Sequence, residues 1–183
     1  MSGLDFALLV VIAVLAIVVA STMLRRRTPK RPAATPAAPR ILVPFSGSLD
    51  PTVLDAAIRI ATAEHAVLVP AYLLIVPLRY AEDSPLRDEV ELAMPLLEAV
   101  EHAALRAGVP VDARIEKGRT PTHALSRLWD VERFDRIVAP APANGHGGFT
   151  PKELAWLLVH APAETVVLKP APPVEPVRHQ LAA

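Results

Sequence analysis

The chain has 183 residues, enough for one ordinary domain with additional segments, and it contains no cysteine. Disulfides, thiolate catalysis and cysteine-ligated metal sites are therefore excluded. The net charge of zero hides an uneven distribution, because residues 25–40 carry six basic and no acidic side chains while residues 41–169 carry twelve basic and seventeen acidic ones. An acidic folded part argues against a nucleic-acid partner, which needs a cationic surface on the domain.

The N-terminal sequence predicts a transmembrane helix at residues 4–24. The run from Phe6 to Leu24 contains 19 residues without a charge, and a helix of that length spans roughly 28 Å, close to the thickness of a hydrocarbon core. Three arginines follow at 25–27, whereas the leader MSGLD has no lysine or arginine. The positive-inside rule therefore predicts a single-pass plasma-membrane protein with its N-terminus outside and the rest in the cytoplasm. A cleaved signal peptide, ending at Val18-Val19-Ala20, is the alternative.

Two further segments have compositions that do not support a packed core. Residues 25–39 form a basic linker rich in proline and alanine, which predicts a stiff and extended spacer. The tail at 170–183 has the same proline-rich character and is expected to be disordered. The folded unit is therefore predicted at residues 40–169.

The first half of this unit alternates strand and helix patterns. RILVPF (40–45) predicts a buried strand, and Asp50-Pro51 has the cap and first-turn proline of a helix start. The apolar run at 66–76 predicts a second strand, whose paired part should begin at or after Ala71 because Pro70 cannot donate to a ladder. A helix is then predicted from Ser84 to Ala107, with a kink or a break at Pro95.

The second half repeats the same alternation. VDARIEKG (111–118) predicts a strand, and Thr120-Pro121 caps the next helix. DRIVAP (135–140) predicts the fourth strand, residues 150–161 the fourth helix, and ETVVLKP (164–170) the fifth strand. This order predicts an α/β fold in which a five-stranded parallel sheet carries helices on both faces.

Ligands of such sheets bind beyond the carboxyl ends of the strands, where the strand order reverses. Two turns are candidates: Ser46-Gly47-Ser48 after the first strand, and the loop with Gly145, His146, Gly147 and Gly148 after the fourth. Lys152 could attract a phosphate there. However, Thr150 and Glu153 form a capping-box pattern, which places a carboxylate at the positive end of the helix dipole.

The residues of this unit resemble the universal stress protein family over about residues 40–169. ILVPFSGSLD is similar to the opening strand and turn of that family, commonly I-L-V-P-V-D-G-S. FDRIVAP, GHGGF and HAPAETVVLKP are similar to its closing strand, glycine loop and final strand, and Gly118 matches a glycine that ends the third strand. The resemblance implies a Rossmann-like fold and, in ATP-binding members, a nucleotide cofactor.

The nucleotide motif of the family is degenerate here. ATP-binding members carry Gly-x2-Gly-x9-Gly-Ser/Thr and an aspartate in the first turn. Aligning the second glycine with Gly145 places Pro142, Ala155 and Trp156 at the other three positions, and Ser46 at the aspartate. We therefore expect no cofactor. If ATP or AMP did bind, the resemblance implies contacts from Ser46, Gly47, Gly118, the loop at 145–148 and Lys152.

These observations favour a membrane-anchored, non-catalytic regulatory or scaffolding domain with an unidentified protein partner. The first alternative is an ATP- or AMP-binding stress sensor with a remodelled glycine loop. The second is an ATP-cleaving enzyme, because residues 46–50 (SGSLD) resemble the S-G-G-x-D loop of ATP pyrophosphatases. Neither a G-x-S-x-G elbow nor a Cys–His pair is present, and the histidines lack metal-ligand spacing, so we predict no catalytic residue and no metal site.

The final strand predicts a homodimer. The resemblance implies that it lies at a sheet edge and pairs with its copy in a second chain. Charges occur only at its ends, at Glu164 and Lys169, while Val166, Val167 and Leu168 lie between them. Antiparallel pairing about a two-fold axis would set Glu164 of one chain near Lys169 of the other.

Overall fold

The computed structural model describes residues 38–142 and 148–169. Nine elements alternate along them: β1 (Arg40–Phe45), α1 (Pro51–Glu64), β2 (Val67–Ile75), α2 (Arg87–Arg106), β3 (Arg114–Gly118), α3 (Pro121–Val131), β4 (Arg136–Pro140), α4 (Pro151–His160) and β5 (Glu164–Leu168). Every pairing is parallel and the strand order is β3-β2-β1-β4-β5. The predicted five-stranded parallel sheet is therefore confirmed.

Three of the four helices begin in the same way. Asp50, Thr120 and Thr150 each accept a backbone N–H of the first helical turn through their side chain, and each is followed by a proline. Proline at this position costs the helix no hydrogen bond, because its missing N–H would have had no partner inside the helix. These caps confirm the predicted starts of α1, α3 and α4.

The second helix differs from its prediction in where it begins and in its continuity at Pro95. It begins at Arg87 rather than Ser84, because the buried Leu86 has a left-handed backbone (φ 40°) that cannot belong to the helix. Pro95 lies inside one continuous helix from Arg87 to Arg106, so the predicted break is wrong. Packing of Ala93 and Leu97 into the core on either side of the proline stabilises the helix through this point.

The prediction that pairing of β2 begins only at or after Ala71 is also wrong. β2 pairs with β1 from Val67 onward, and Pro70 itself lies opposite Val43. Backbone groups alternate along a strand, and Leu68 donates its N–H to Pro110 on the β3 side, so the nitrogen of Pro70 also faces β3. The ladder with β3 is interrupted there, between the bridge of Leu68 with Val111 and the pair of Ala71 with Arg114. The proline therefore costs no hydrogen bond.

The core consists of two layers, one on each face of the sheet. Alternate residues of a strand point to opposite faces, so Ile41 and Val43 pack under α1 and α2, whereas Leu42 packs under α3 and α4. The helices therefore lie on both faces, as predicted. Among residues 38–142 and 148–169, each helix is too short or too polar to cross a membrane; the span predicted at residues 4–24 lies outside these ranges.

Ion pairs join the elements at the amino edge of the sheet. Arg40 Nη2 donates to Asp112 Oδ2 and to Glu132 Oε2, both at 2.8 Å. Arg114 donates to the same two carboxylates, with Nη2 at 2.8 Å from Asp112 Oδ2 and Nε at 3.0 Å from Glu132 Oε1. Burial raises the pKa of Asp112, but hydrogen bonds from Arg40 and the charge of Arg114 outweigh it, so this pKa lies below its ordinary value.

This network predicts how stability depends on pH. A carboxyl whose pKa is lowered by folding stabilises the domain above its unfolded pKa of about 3.9, and that contribution is lost as the pH falls through the folded pKa. Asp112→Asn should reduce the free energy of unfolding by about 1 to 2 kcal/mol at pH 7. The difference from the parent chain should shrink towards zero below about pH 4. Urea unfolding at both pH values measures it, with Asp130→Asn at an exposed position of α3 as the control that should change little.

Candidate functional site

The strand order reverses between β1 and β4, which places the carboxyl ends of these strands side by side. Their ladder consists of Ile41 with Arg136 and Leu42 with Ile137. Arg40 donates its N–H towards β4, to Asp135 Oδ2, so by alternation the nitrogen of Pro44 faces β4 as well. Ala141 donates towards β5, so the nitrogen of Pro140 faces β1. Each of the two prolines therefore lacks the N–H that would have bonded to the neighbouring strand. The ladder between β1 and β4 ends at this level, and the crevice begins beyond it.

The chain after the glycine loop returns into this crevice. Phe149 donates its N–H to the carbonyl oxygen of Pro140 at 2.8 Å, and its ring is 4% exposed in the core layer under α3 and α4. Gly148 has φ 72°, and a Cβ there would lie 2.7 Å from the same carbonyl oxygen. Only glycine permits this conformation and this approach. The chain's own backbone and a phenylalanine ring thus fill space beside the end of β4.

The N-terminus of α4 has little capacity left for an anion. The predicted capping box is confirmed: Glu153 donates its N–H to Thr150 Oγ1, while Glu153 Oε2 accepts from Thr150 N at 2.8 Å and from Thr150 Oγ1 at 2.7 Å. Pro151 has no N–H, and Leu154 already donates to Thr150 O. Within the described part of this first turn, the amide of Lys152 is left without a protein partner. A carboxylate occupies the positive end of the helix dipole instead of a phosphate.

The turn after β1 is shaped by its own hydrogen bonds. Ser48 donates its N–H to Ser46 O at 2.9 Å, and Gly47 adopts φ 74°. Asp50, the acid of the pyrophosphatase-like pattern, accepts the N–H of Thr52 at 2.8 Å. Its carboxylate therefore serves as the cap of α1, so the resemblance of this turn to a phosphate loop has a structural explanation.

Gly118 is a packing residue. A Cβ at this position would lie 2.5 Å from Ala124 N, so only glycine lets α3 approach the end of β3 this closely. Val76 donates its N–H to Gly118 O at 2.9 Å, which binds the chain after β2 to the same point. The structure therefore gives this glycine a role that requires no ligand.

The structure places two residues of the aligned glycine motif inside a helix. Ala155 and Trp156 lie in the second turn of α4, beyond its free amides. Of the other candidate residues, Gly148 and Lys152 follow the loop, while Gly145, His146 and Gly147 lie outside the described residues.

An aromatic stack was missed by the sequence analysis. Trp156 lies between Trp129 of α3, at a centroid distance of 5.4 Å, and His160 of α4, at 4.9 Å, with nearly parallel rings. His160 Nδ1 is also 2.8 Å from Trp156 O. The spacing of Trp156 and His160 at i and i+4 indicates a pair within one helix, but the contact with Trp129 depends on how the helices pack.

Two of the clefts formed by the described residues lie near the carboxyl edge. One of about 250 Å³ is lined by Thr120, Thr122, Thr150, Lys152, Glu153 and Trp156, which is below the volume of common ligand pockets, roughly 300–1,000 Å³. The other, of about 430 Å³, is lined by Glu82, Asp83, Ile115, Glu116, Lys117 and Arg127. Its charges largely satisfy one another, because Arg127 contacts Glu82 at 3.1 Å and Glu116 at 3.4 Å. Lys117 Nζ donates to Ser84 O at 2.6 Å.

The residues predicted for a dimer edge occupy a true edge of the sheet. β5 pairs with β4 along one side, and Lys169 follows the strand. Val166 and Leu168 pack towards the layer under α1 and α2, whereas Val167 is 38% exposed. Glu164 is bonded within its own chain, because Arg136 Nη2 donates to Glu164 Oε2 at 2.6 Å. The carboxylate predicted to pair with a second chain therefore already has a partner.

Comparison with known proteins identifies the fold through structure alone. No protein-family model and no curated protein sequence matches the chain. A universal stress protein family member from Burkholderia pseudomallei is 24% identical with a TM-score of 0.55, and the match covers 74% of this chain and 98% of that one. Universal stress protein UspA from Lactobacillus plantarum is 20% identical with a TM-score of 0.57, over 72% and 97% of the two chains.

A third match was solved with a nucleotide. It is a universal stress protein family protein from Arabidopsis thaliana with AMP bound, which is 16% identical with a TM-score of 0.55, over 76% of this chain and 97% of that one. At such identities the shared feature is the arrangement of strands and helices. The described residues of this chain therefore have the fold of the universal stress protein family.

Proposed function

We propose that this chain is a degenerate universal stress protein that acts as a membrane-anchored, non-catalytic regulatory or scaffolding domain in the cytoplasm. The observation that carries the proposal is the state of the crevice between β1 and β4. Two prolines remove donors from its walls, Phe149 packs beside it, and Glu153 neutralises the helix start that follows it. A domain of this kind meets partners through its surfaces.

An AMP- or ATP-binding sensor is the second candidate. It is supported by the Arabidopsis thaliana relative, which was solved with AMP bound. In this chain the remaining attraction for a phosphate would come from Lys152, whose ammonium and main-chain amide stand at the start of α4.

Nucleotide titration separates the two candidates. Calorimetry of residues 38–183 with AMP, and with ATP and Mg²⁺, should show no saturable heat at micromolar concentration, because Pro44 and Pro140 remove donors from the described walls of the crevice and Glu153 occupies the start of α4. A ligand that binds only the folded state raises the melting temperature, so neither nucleotide should shift it. A shift that Lys152→Ala removes, and that Arg59→Ala on α1 leaves intact, would establish the sensor instead.

The anchor proposal rests on the uncharged run at residues 6–24 and the three arginines after it. A reporter enzyme that works only in the cytoplasm should therefore be active when it is fused after Ala183. The chain should also stay in the membrane fraction after high-salt and carbonate washing. Release of a soluble chain that begins near Ser21 would instead identify a cleaved signal peptide.

We also propose that the domain is a homodimer paired through β5. An open edge is a hazard unless it is charged, covered or paired, and the middle of β5 carries no charge. Confinement to one membrane raises the effective concentration of the two chains. Because Glu164 is engaged by Arg136, we assign the contact to the strand itself and not to a pair of Glu164 with Lys169.

Introduction of a charge into this edge is the corresponding test. Val167→Arg places a cation in the middle of the paired strand and should convert a dimer of residues 38–183 at micromolar concentration into a folded monomer, seen by light scattering. Leu105→Arg, at a comparably exposed position of α2 (57% against 38%), should leave the dimer unchanged. A parent domain that is monomeric at high concentration would contradict the proposal.

A further inference from the structure

The edge strand β3 has backbone groups that point away from the sheet. Gly118 O accepts an N–H from the chain that follows β2, and Asp112 donates its own N–H to β2. Backbone groups alternate in direction along a strand, so the N–H and carbonyl groups of Ile115 and Lys117 face the open side. Among the described residues, no group bonds to them there.

The cleft of about 430 Å³ runs along this edge. Ile115 packs in the cluster beneath the start of α2, whereas Glu116 points to the other face of the sheet and contacts Arg127 of α3. Because these neighbours on opposite faces line the same cleft, the edge of the strand lies between them and opens into it. Glu82 and Asp83, from the chain between β2 and α2, also line the cleft. An extended segment that adds to an open sheet edge fits such a cleft.

We propose that residues 177–181 of the same chain add to β3 as a sixth strand, antiparallel to it, with Arg178 opposite Glu116. Neither the proposed anchor nor the proposed dimer is needed for this contact. The occupant is identified by the length of the C-terminal tail, by its sequence and by its charge.

The length of the tail matches the distance that it has to cross. The strands are parallel, so Lys169 follows β5 at the carboxyl edge, where β3 also ends. A new strand beside β3 lies five strand spacings from β5, or about 24 Å. Residues 170–176 include four prolines, and seven residues of polyproline II span about 22 Å. The chain then reaches the carboxyl end of β3 at Val177 and enters the edge from that end, which makes the added strand antiparallel.

The sequence of the tail changes character at the same point. Residues 177–183 contain no proline and no acidic side chain, so each of them can donate an N–H. Polar and apolar residues also alternate with the period of a strand, in the order Val177, Arg178, His179, Gln180 and Leu181. This segment therefore has the hydrogen-bonding capacity of a strand, which the proline-rich part before it lacks.

Charge determines the register of the added strand. Three carboxylates and two cations line the cleft, and both cations, Lys117 and Arg127, already have contacts within the domain. Glu116 Oε1 contacts Arg127 at 3.4 Å, while no cation of the described residues contacts Glu116 Oε2. Arg178 is the only lysine or arginine of the tail. Opposite Glu116, its guanidinium can pair with this second oxygen.

The register divides the added strand into two classes of residue. Antiparallel ladders alternate between pairs that exchange two hydrogen bonds and pairs that exchange none. With Arg178 opposite Glu116, His179 lies opposite Ile115 and exchanges both bonds with it. The N–H groups of Arg178 and Gln180 face away from β3. His179 therefore donates to the sheet, whereas Gln180 does not.

The segment that crosses the sheet would also cover the candidate crevice. β4, β1 and β2 separate β5 from β3, so the direct path of residues 170–176 passes the carboxyl ends of these three strands. The tail would then occupy the mouth of the crevice, in addition to Phe149 and Glu153 beside it. Docking of the tail is thus an autoinhibitory contact for any ligand of that edge.

Hydrogen exchange of the full-length chain in detergent tests the pairing. Bonding to the tail should slow exchange of the Ile115 and Lys117 amides at least about tenfold relative to a chain that ends at Lys169. His179→Pro removes a donor that faces β3 and should abolish this protection. Gln180→Pro removes a donor that faces solvent, where an edge strand tolerates proline, and should preserve it. Both substitutions lie in the tail and leave the residues of the domain unchanged.

Two results of this experiment would overturn the inference. Equal exchange of the two amides in the full-length chain and in the chain that ends at Lys169 would show that the tail does not pair with the edge. Equal loss of protection in His179→Pro and Gln180→Pro would show that the tail contacts the edge without forming the proposed ladder.

A disulfide tests the register and the origin of the strand. The chain has no cysteine, and facing residues of a non-hydrogen-bonded pair have Cβ atoms about 4.5–5.5 Å apart, so Glu116→Cys with Arg178→Cys should form an internal disulfide on mild oxidation. Glu116→Cys with Gln180→Cys, a diagonal pair on the same face, is the control and should oxidise at least about tenfold more slowly. Equal rates would contradict the register. A covalent dimer between a chain with only Glu116→Cys and a chain with only Arg178→Cys would assign the strand to a second copy and contradict the proposal.

Discussion

The arrangement of the candidate site depends on two prolines that face each other across the central strands. Pro44 and Pro140 occupy corresponding places near the carboxyl ends of β1 and β4, and neither can donate to the ladder. A parallel pair would otherwise continue through these residues, leaving the last amides of both strands to a ligand. Here the carbonyl of Pro140 is satisfied by Phe149 of the same chain. The ladder between β1 and β4 thus ends where these amides are missing.

This constraint explains why the features of an anion site are lost together. A phosphate would gain less in a crevice whose described walls have lost two donors, whereas burial of a large apolar side chain such as Phe149 contributes roughly 1.5–3 kcal/mol. Glu153 can then cap the helix start without competing with a bound anion. Glycine substitutions at the motif positions would not restore an anion site, because Pro44, Pro140 and the buried ring of Phe149 lie outside those positions.

The sequence predicts those features that depend on local rules. Caps at Asp50, Thr120 and Thr150 are visible because a side chain and a backbone amide two or three residues apart are enough to define them. The parallel five-stranded sheet followed from the alternation of strand and helix patterns, and the edge position of β5 followed from the family resemblance. The effect of Pro70 was predicted wrongly because it depends on which neighbouring strand the proline faces. The stack with Trp129 depends on packing between two helices and has no signal in either one.

The two edges of the sheet, β3 and β5, differ in what lies beside them. At β3, Lys117 binds Ser84 O, and Arg119 donates to the carbonyls of Pro77 and Tyr80, so the chain between β2 and α2 is fastened beside that edge. At β5 the carboxylate of Glu164 accepts from Arg136 of the same chain, and the uncharged middle of the strand lies beside the exposed aliphatic residues of α4. The chain itself is thus fastened beside one edge, while the other edge combines open backbone groups with exposed aliphatic side chains. An edge of the second kind is a hazard unless it is charged, covered or paired, and this is the observation on which the proposed pairing of β5 rests.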